Sequence, residues 1–505
     1  MIMSYEEDLK KMYEHLEKLK KLAYVYHVLN FDLETKCPVK NMNCASDSLN
    51  VISSQIFDLT HEKEYIDLVV SLHAKRDEAK DVYEKTLIDN LYKSYIREKN
   101  VSKELDDLAS KVYSNSYIDW LNAKKNKDYS LFEPSLEKVK EIQQKLIDTR
   151  EDKKDNYYDT AFSDYERGLT SKDLDKLFGE LRDGIVNLLN RIKKSKHKIR
   201  TDFMSREVPI EKQEQFSNYI LETMGFDFSR GCIATTEHPF TDTLSKDDTR
   251  VTTHYYLNQF VSNIFTIAHE GGHALFGQNQ DDEDFNHYID DSMTLGMHES
   301  VSRFYENILG RSKAFIHLIY PKFKEIFGDI FFDVSEEELY EAVNEVKPSL
   351  IRTEADELTY SLHIIIRYEI EKDIINNKVD LKDIKALWNK KYEEYLGVTP
   401  TNDSEGILQD VHWSSGFGYF PTYALGNIYN AMYYNSMKEK LDVDKLIREN
   451  KMDVILKYMT ENVFKDANKL DSKTWIKKIT NKDIDSSYFL KYLEDKYVEL
   501  YRLEK

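Results

Sequence analysis

The chain has 505 residues, of which 16 are Gly and 8 Pro, and 41% are apolar. So few Gly and Pro exclude a collagen, a Pro-rich linker protein and a turn-rich β-sandwich, and they favour long helices. A formal charge of −20 without any basic run argues against nucleic acid and anionic membrane surfaces as partners.

Met1 to Lys21 is charged throughout and lacks the apolar stretch of a secretory leader. No run of 18 apolar residues occurs, so no transmembrane helix is expected. Cys37, Cys44 and Cys232 are too few for a disulfide framework and lack zinc-finger spacing. The chain reads as a cytoplasmic, mainly α protein. Leu9, Met12, Leu16, Leu19, Ala23 and Tyr26 recur at spacings of three and four, which predicts the first helix. The same period runs through Ser48 to Lys125 and Ser135 to Asp152. It returns at Val454, Tyr458 and Met459, and again at Phe489, Leu493, Tyr497 and Leu500. No glycine precedes Gly168 or follows Gly426, and 13 of the 16 fall between Gly225 and Gly426. Turns, and with them a site, are expected in that middle stretch. No fixed-period repeat and no linker occur. Residues 1–505 therefore read as a single helical domain with two lobes and a motif-bearing core at about 230–430.

From Cys232 to Tyr256 the period changes. Val251, Thr253 and Tyr255 alternate with Thr252 and His254, as in a short strand. Thr241 to Asp248 reads as the turn of a small β-hairpin ahead of the next helix.

His269-Glu270-Gly271-Gly272-His273 follows Val261, Ile264, Phe265 and Ala268 at helical spacing. Two His four residues apart lie on one helix face and can reach one zinc at about 2.0–2.1 Å. Glu270 is offset from that face, where a general base acting on water belongs. Adjacent glycines cost a helix about 1 kcal/mol each, so close backbone or substrate approach is expected there. A third ligand must come from elsewhere, and Glu299 in His298-Glu299-Ser300 is the first choice. His298 and Glu306 compete, since spacing does not exclude them. The acidic run Asp281 to Asp284 reads as a solvated loop. Arg352, in IRTEAD from Ile351 to Asp356, has the planar fork that suits a carboxylate, or it pairs with Glu354 or Asp356 on a solvated helix. Gln409, Asp410 and His412, in GILQDVHW from Gly406 to Trp413, suit the wall of a substrate-binding pocket. There His412 could donate to an oxyanion, or pair with Asp410 as structure.

Together these segments resemble the thermostable, Taq-type carboxypeptidases, the thirty-second family of metallopeptidases. The marks occur in order: His238-Pro239-Phe240, DTRVT from Asp248 to Thr252, HEGGH, His298-Glu299-Ser300, IRTEAD and GILQDVHW. Asn30-Phe31-Asp32 with Pro38 is similar to the family's N-terminal segment, with Phe31 where Trp is usual. Val301 stands where Gln usually follows His-Glu-Ser. The resemblance implies a large helical, zincin-like domain with a deep central groove and a small sheet near the site, usually a homodimer. It implies removal of single residues from peptides with a free C-terminus, with broad specificity, using zinc or sometimes cobalt. It places His269, His273 and Glu299 as metal ligands, Glu270 as base and Arg352 on the substrate carboxylate. His412 and Tyr423 would stand near the scissile carbonyl, and His238 and Arg250 would narrow the groove. A helical zinc oligoendopeptidase cutting internally, and a non-enzymatic helical scaffold, are the alternatives.

Overall fold

The computed structural model describes residues 4–504. Ser4 opens the first helix, Tyr5–Thr35, with a reciprocal cap: its Oγ takes the Glu7 N–H while Glu7 Oε2 takes the Ser4 N–H. Leu9, Met12 and Leu16 on this helix are buried as the spacing predicts. They meet Leu68, Val69, Leu72, Leu87 and Ile88 in an N-terminal apolar cluster that also takes in Ile289. Most of the remaining buried apolar residues form one much larger cluster.

At the centre of the larger cluster lie helices that are buried on nearly all sides, which is what an apolar helix without a polar face requires. They are the HEGGH helix, Phe260–Asn279, and the helices Glu357–Ile375 and Pro421–Lys438. A shorter helix carrying His-Glu-Ser, Leu295–Arg303, packs between the first and the last of these and runs into a π-helical turn, Phe304–Leu309.

The sheet has three strands: β1 (Gly231–Thr235), β2 (Thr241–Ser245) and β3 (Asp248–Thr253), in the order β1-β3-β2. β2 and β3 form an antiparallel hairpin with Thr241 opposite Val251, and β1 adds to β3 in parallel with Gly231 opposite Thr249. Thr241 to Asp248 is thus mostly a strand, not a turn. Its threonines hid the strand, because they supply no apolar alternation while facing a helix. A Cβ on Gly277 would sit 2.1 Å from the Thr243 hydroxyl, so the glycine lets β2 lie directly on the HEGGH helix.

The acidic run also differs from the expected solvated loop. Asp282–Asn286 is a short helix, and Asp284 is fully buried against Lys469 at 2.7 Å. The cation 185 residues downstream offsets the cost of burying that carboxylate. The three cysteines are free, and among the described residues no helix is long and apolar enough to cross a membrane.

Candidate metal centre and active site

The HEGGH and His-Glu-Ser helices approach as closely as their backbones allow. A Cβ on Gly272 would lie 2.8 Å from Cα of Ser302 and 3.0 Å from the Val301 carbonyl oxygen. The close approach at Gly272 is therefore to a neighbouring helix backbone. Gly426 plays the same part from the other side, where a Cβ would lie 3.0 Å from Glu299 backbone and side-chain atoms. Glu299 is thus fixed between two helices and aimed at the two imidazoles.

Ligand atoms from His269, His273 and Glu299 all lie within 4.8 Å of one another. Glu299 Oε2 is 3.6 Å from His269 Nε2 and 3.8 Å from His273 Nε2. Donors around one ion at about 2.0–2.1 Å stand about 3.3–3.4 Å apart in a tetrahedron, so the two nitrogens and the oxygen fit one divalent cation.

The outer contacts prepare these donors. His269 Nδ1 lies 2.8 Å from Glu306 Oε2, which fixes the proton on Nδ1 and leaves Nε2 facing Glu299. His273 Nδ1 is 2.6 Å from His298 Nδ1. His298 and Glu306 are therefore partners of the imidazoles rather than members of the three-donor cluster. The π-helical turn holds Glu306 in that place. Arg303 Nε donates to Glu299 Oε1 at 2.8 Å, while Oε2, the oxygen that faces the imidazoles, accepts from Ser302 Oγ at 3.1 Å. Burial opposes the charge on Glu306, but Arg303 and His269 hold its carboxyl down to about 2. Burial likewise opposes charge on His269, yet Glu299, Glu306 and Glu270 raise it to about 9.

Glu270 points toward β2. Its Oε2 accepts from Thr241 Oγ1 at 2.7 Å. Burial pushes the Glu270 carboxyl up, against the pull of His269 and Thr241.

A second cluster surrounds Arg352, which lies on a 3₁₀ turn, Arg352–Glu354, and is 7% exposed. Its Nε and Nη2 donate to Asp410 Oδ1 at 3.0 and 2.9 Å, and Nη1 donates to Tyr360 Oη at 3.2 Å. Neither Glu354 nor Asp356 is its partner; Asp356 caps the next helix by accepting from Thr359 N at 2.9 Å. Asp410 is shared with the fully buried Arg367, 2.6 Å from Oδ2. Two guanidiniums thus face one carboxylate. Gln409 accepts from Arg352 N at 2.9 Å and donates to Leu350 O, so its amide braces this turn. His412 Nε2 is 3.5 Å from Tyr423 Oη, and its buried Nδ1 has no partner. Burial brings His412 down to about 4, so its ring is neutral near pH 7.

The clusters meet at Tyr360. Its ring carries the Arg303 guanidinium 3.9 Å from the centroid, and its hydroxyl accepts from Arg352. Sequence reasoning missed Thr241, Arg303, Tyr360 and Arg367. Arg303 was signalled by its place one helical turn after Glu299. Arg250 is held by Asp248 at 2.9 and 2.8 Å and lies over the Phe31 ring at 5.1 Å, while His238 is exposed between β1 and β2.

A helical protein that gathers two imidazoles, a carboxylate and a neighbouring glutamate at one point has the layout of a metallopeptidase. Residues 11–497 match the family described as Carboxypeptidase Taq (M32) metallopeptidase, and the chain belongs to that family of peptide hydrolases. It is 38% identical to Carboxypeptidase 1 of Bacillus subtilis, across 99% of this chain and all of the relative. It is 32% identical to Thermostable carboxypeptidase 1 of Pyrococcus furiosus, across 97% and 99%. Among solved structures it resembles the carboxypeptidase of this family from Deinococcus radiodurans, with a TM-score of 0.94 at 27% identity over 98% and 100% of the chains. The Pyrococcus furiosus carboxypeptidase structure gives 0.92 at 30% identity, over 98% and 100%. The chain is thus a metallocarboxypeptidase, and internal cleavage is the weaker reading.

Proposed function

We propose that the protein is a zinc carboxypeptidase of broad specificity, with cobalt an alternative ion, acting on peptides with a free C-terminus. His269, His273 and Glu299 would hold the cation; their spacing is the observation that carries the reading. When bound, the cation supplies Lewis acidity toward water and the scissile carbonyl.

The protein groups do the rest. Glu270 takes a proton from the attacking water and returns it to the leaving amine. Its raised affinity for protons and the Thr241 hydroxyl suit a base that is held in place. His412 and Tyr423 donate to the oxyanion formed on the substrate. Arg352 binds the terminal carboxylate. Three of its five N–H groups are committed to Asp410 and Tyr360, which leaves two for substrate. Asp410 neutralises one of the two buried guanidiniums, and the substrate carboxylate neutralises the other. Gln409 sets the Arg352 turn. His238 and Arg250 border the groove and limit peptide length.

The chain works in this reading as a cytoplasmic homodimer of single, two-lobed domains, with its catalytic core at about 230–430. Chelation should abolish turnover and zinc should restore it. A metal-free preparation with full turnover contradicts the proposal.

A further inference from the structure

A group of cations lies where the helix Val82–Glu98 meets the segment Ser163–Arg167, outside the residues assigned to catalysis. Asn90, Lys93 and Arg97 share one face of that helix, at spacings of three and four. Arg167 reaches the same face. Its Nη1 donates to Asn90 Oδ1 at 3.4 Å and its Nη2 to Ser292 O at 2.6 Å. Arg97 Nη2 donates to Ser163 O at 3.1 Å.

The nearby acids do not balance these charges. Asp164 is divided between Arg97 and Arg150, 2.8 Å from each. Asp152 is 2.8 Å from Arg150 and 3.6 Å from Arg97. Within ion-pair distance these four cations share two carboxylates, while Glu166 and Asp471 act on Arg167 from farther off. Among the described residues Lys93 forms no ion pair or hydrogen bond. Arg167 donates only to uncharged oxygens, those of Asn90, Ser292 and Leu470. The buried Nε–H groups of Arg97 and Arg167 have no acceptor. Buried N–H groups without acceptors and a half-buried ammonium without a counter-ion are each costly. Burial, then Arg97 and Arg167, press the Lys93 ammonium down to about 8. This surplus is local, within a chain of net charge −20.

We infer that a small inorganic anion binds between Lys93, Arg97 and Arg167. The Lys93 ammonium and the Arg167 Nε–H are its donors, and the Arg97 Nε–H, 3.6 Å from Asp152, flanks them. Such an anion would tie the helix of the N-terminal cluster to the main body. It would also sit beside the Arg167–Ser292 contact, just ahead of Thr294, which precedes the His-Glu-Ser helix.

The test is thermal unfolding of the full-length, metal-loaded chain at constant ionic strength set with gluconate. Chloride is titrated in one arm and inorganic phosphate in the other, which tells a halide site from an oxyanion site. Wild type should show a saturable rise in Tm of about 1–3 °C in one arm. Lys93→Met should show none, and in gluconate alone it should be at least as stable as wild type. No saturable rise in either arm, or the same rise in the variant, overturns the inference. Should the variant fold poorly, acylation of Lys93 in wild type serves instead, followed by mass spectrometry. The effective anion should slow it at least about threefold, and an unchanged rate overturns the inference.

Discussion

Arg303 holds Glu299 by one oxygen, 2.8 Å from Nε to Oε1, and lies over the Tyr360 ring at 3.9 Å. It also stands 3.5 Å from Glu306, the partner of His269. One guanidinium therefore orients two of the three proposed ligands while Tyr360 carries the contact on to Arg352. Arg303→Met should weaken zinc binding about 10–100-fold, as loss of outer-shell support does elsewhere. Metal titration of the apo-protein with a competing chelator measures this. An unchanged affinity would mean that Glu299 orients itself.

Glu270 touches Thr241 and stands beside the donor cluster without belonging to it. Glu270→Gln keeps the size of the side chain and an acceptor for Thr241. It should retain one metal per chain and lose turnover by about 10²–10⁴-fold. Metal content and single-turnover rates on one preparation decide it. Wild-type turnover in the variant would remove Glu270 from the mechanism.

Gly272 sets how near the two motif helices come. Gly272→Ala places a methyl 2.8 Å from the Ser302 backbone, and neither helix can yield locally. The cost should be about 1–3 kcal/mol of stability, with weakened metal binding because Glu299 moves from the imidazoles. Urea unfolding with parallel metal analysis tests both. A variant as stable and as metal-loaded as wild type would show that the helices have slack.

Asp410 links stability to pH. Burial alone would raise its carboxyl, but Arg367 and Arg352 hold it well below the ordinary range. A carboxyl depressed on folding stabilises above its unfolded pKa of about 3.9 and loses that stabilisation as pH falls. Wild-type stability should therefore decline below about pH 5. Asp410→Asn should flatten that decline and cost about 3–5 kcal/mol at neutral pH, by leaving two buried guanidiniums unpaired. Urea midpoints between pH 3 and pH 7 report both effects. Matching curves for the two proteins would contradict the shared-carboxylate account.

The HEGGH helix was legible in the sequence because its chemistry is local: two His four residues apart need only one helix. The first and last helices were legible for the same reason, since their apolar spacing is enough to place Leu9 or Leu493 inside. Arg352 was not, because its partner Asp410 lies 58 residues away and the nearer acids Glu354 and Asp356 compete for it on paper. Asp284 read as solvated until Lys469 came to it through the fold. β2 read as a turn because a strand of threonines facing a helix has no apolar rhythm. Tyr360 carried no signal, since a tyrosine within an apolar helix is ordinary core until two arginines are found on it.

The central claim is metal-dependent removal of residues one at a time from a free C-terminus. Mass spectrometry of a model peptide and its C-terminally amidated twin, each incubated with the zinc-loaded protein, tests it most directly. The free-acid peptide should shorten as a ladder from its C-terminal end, stop on chelation, and leave the amidated twin intact. Internal fragments from either peptide, or equal digestion of the twin, would contradict the account.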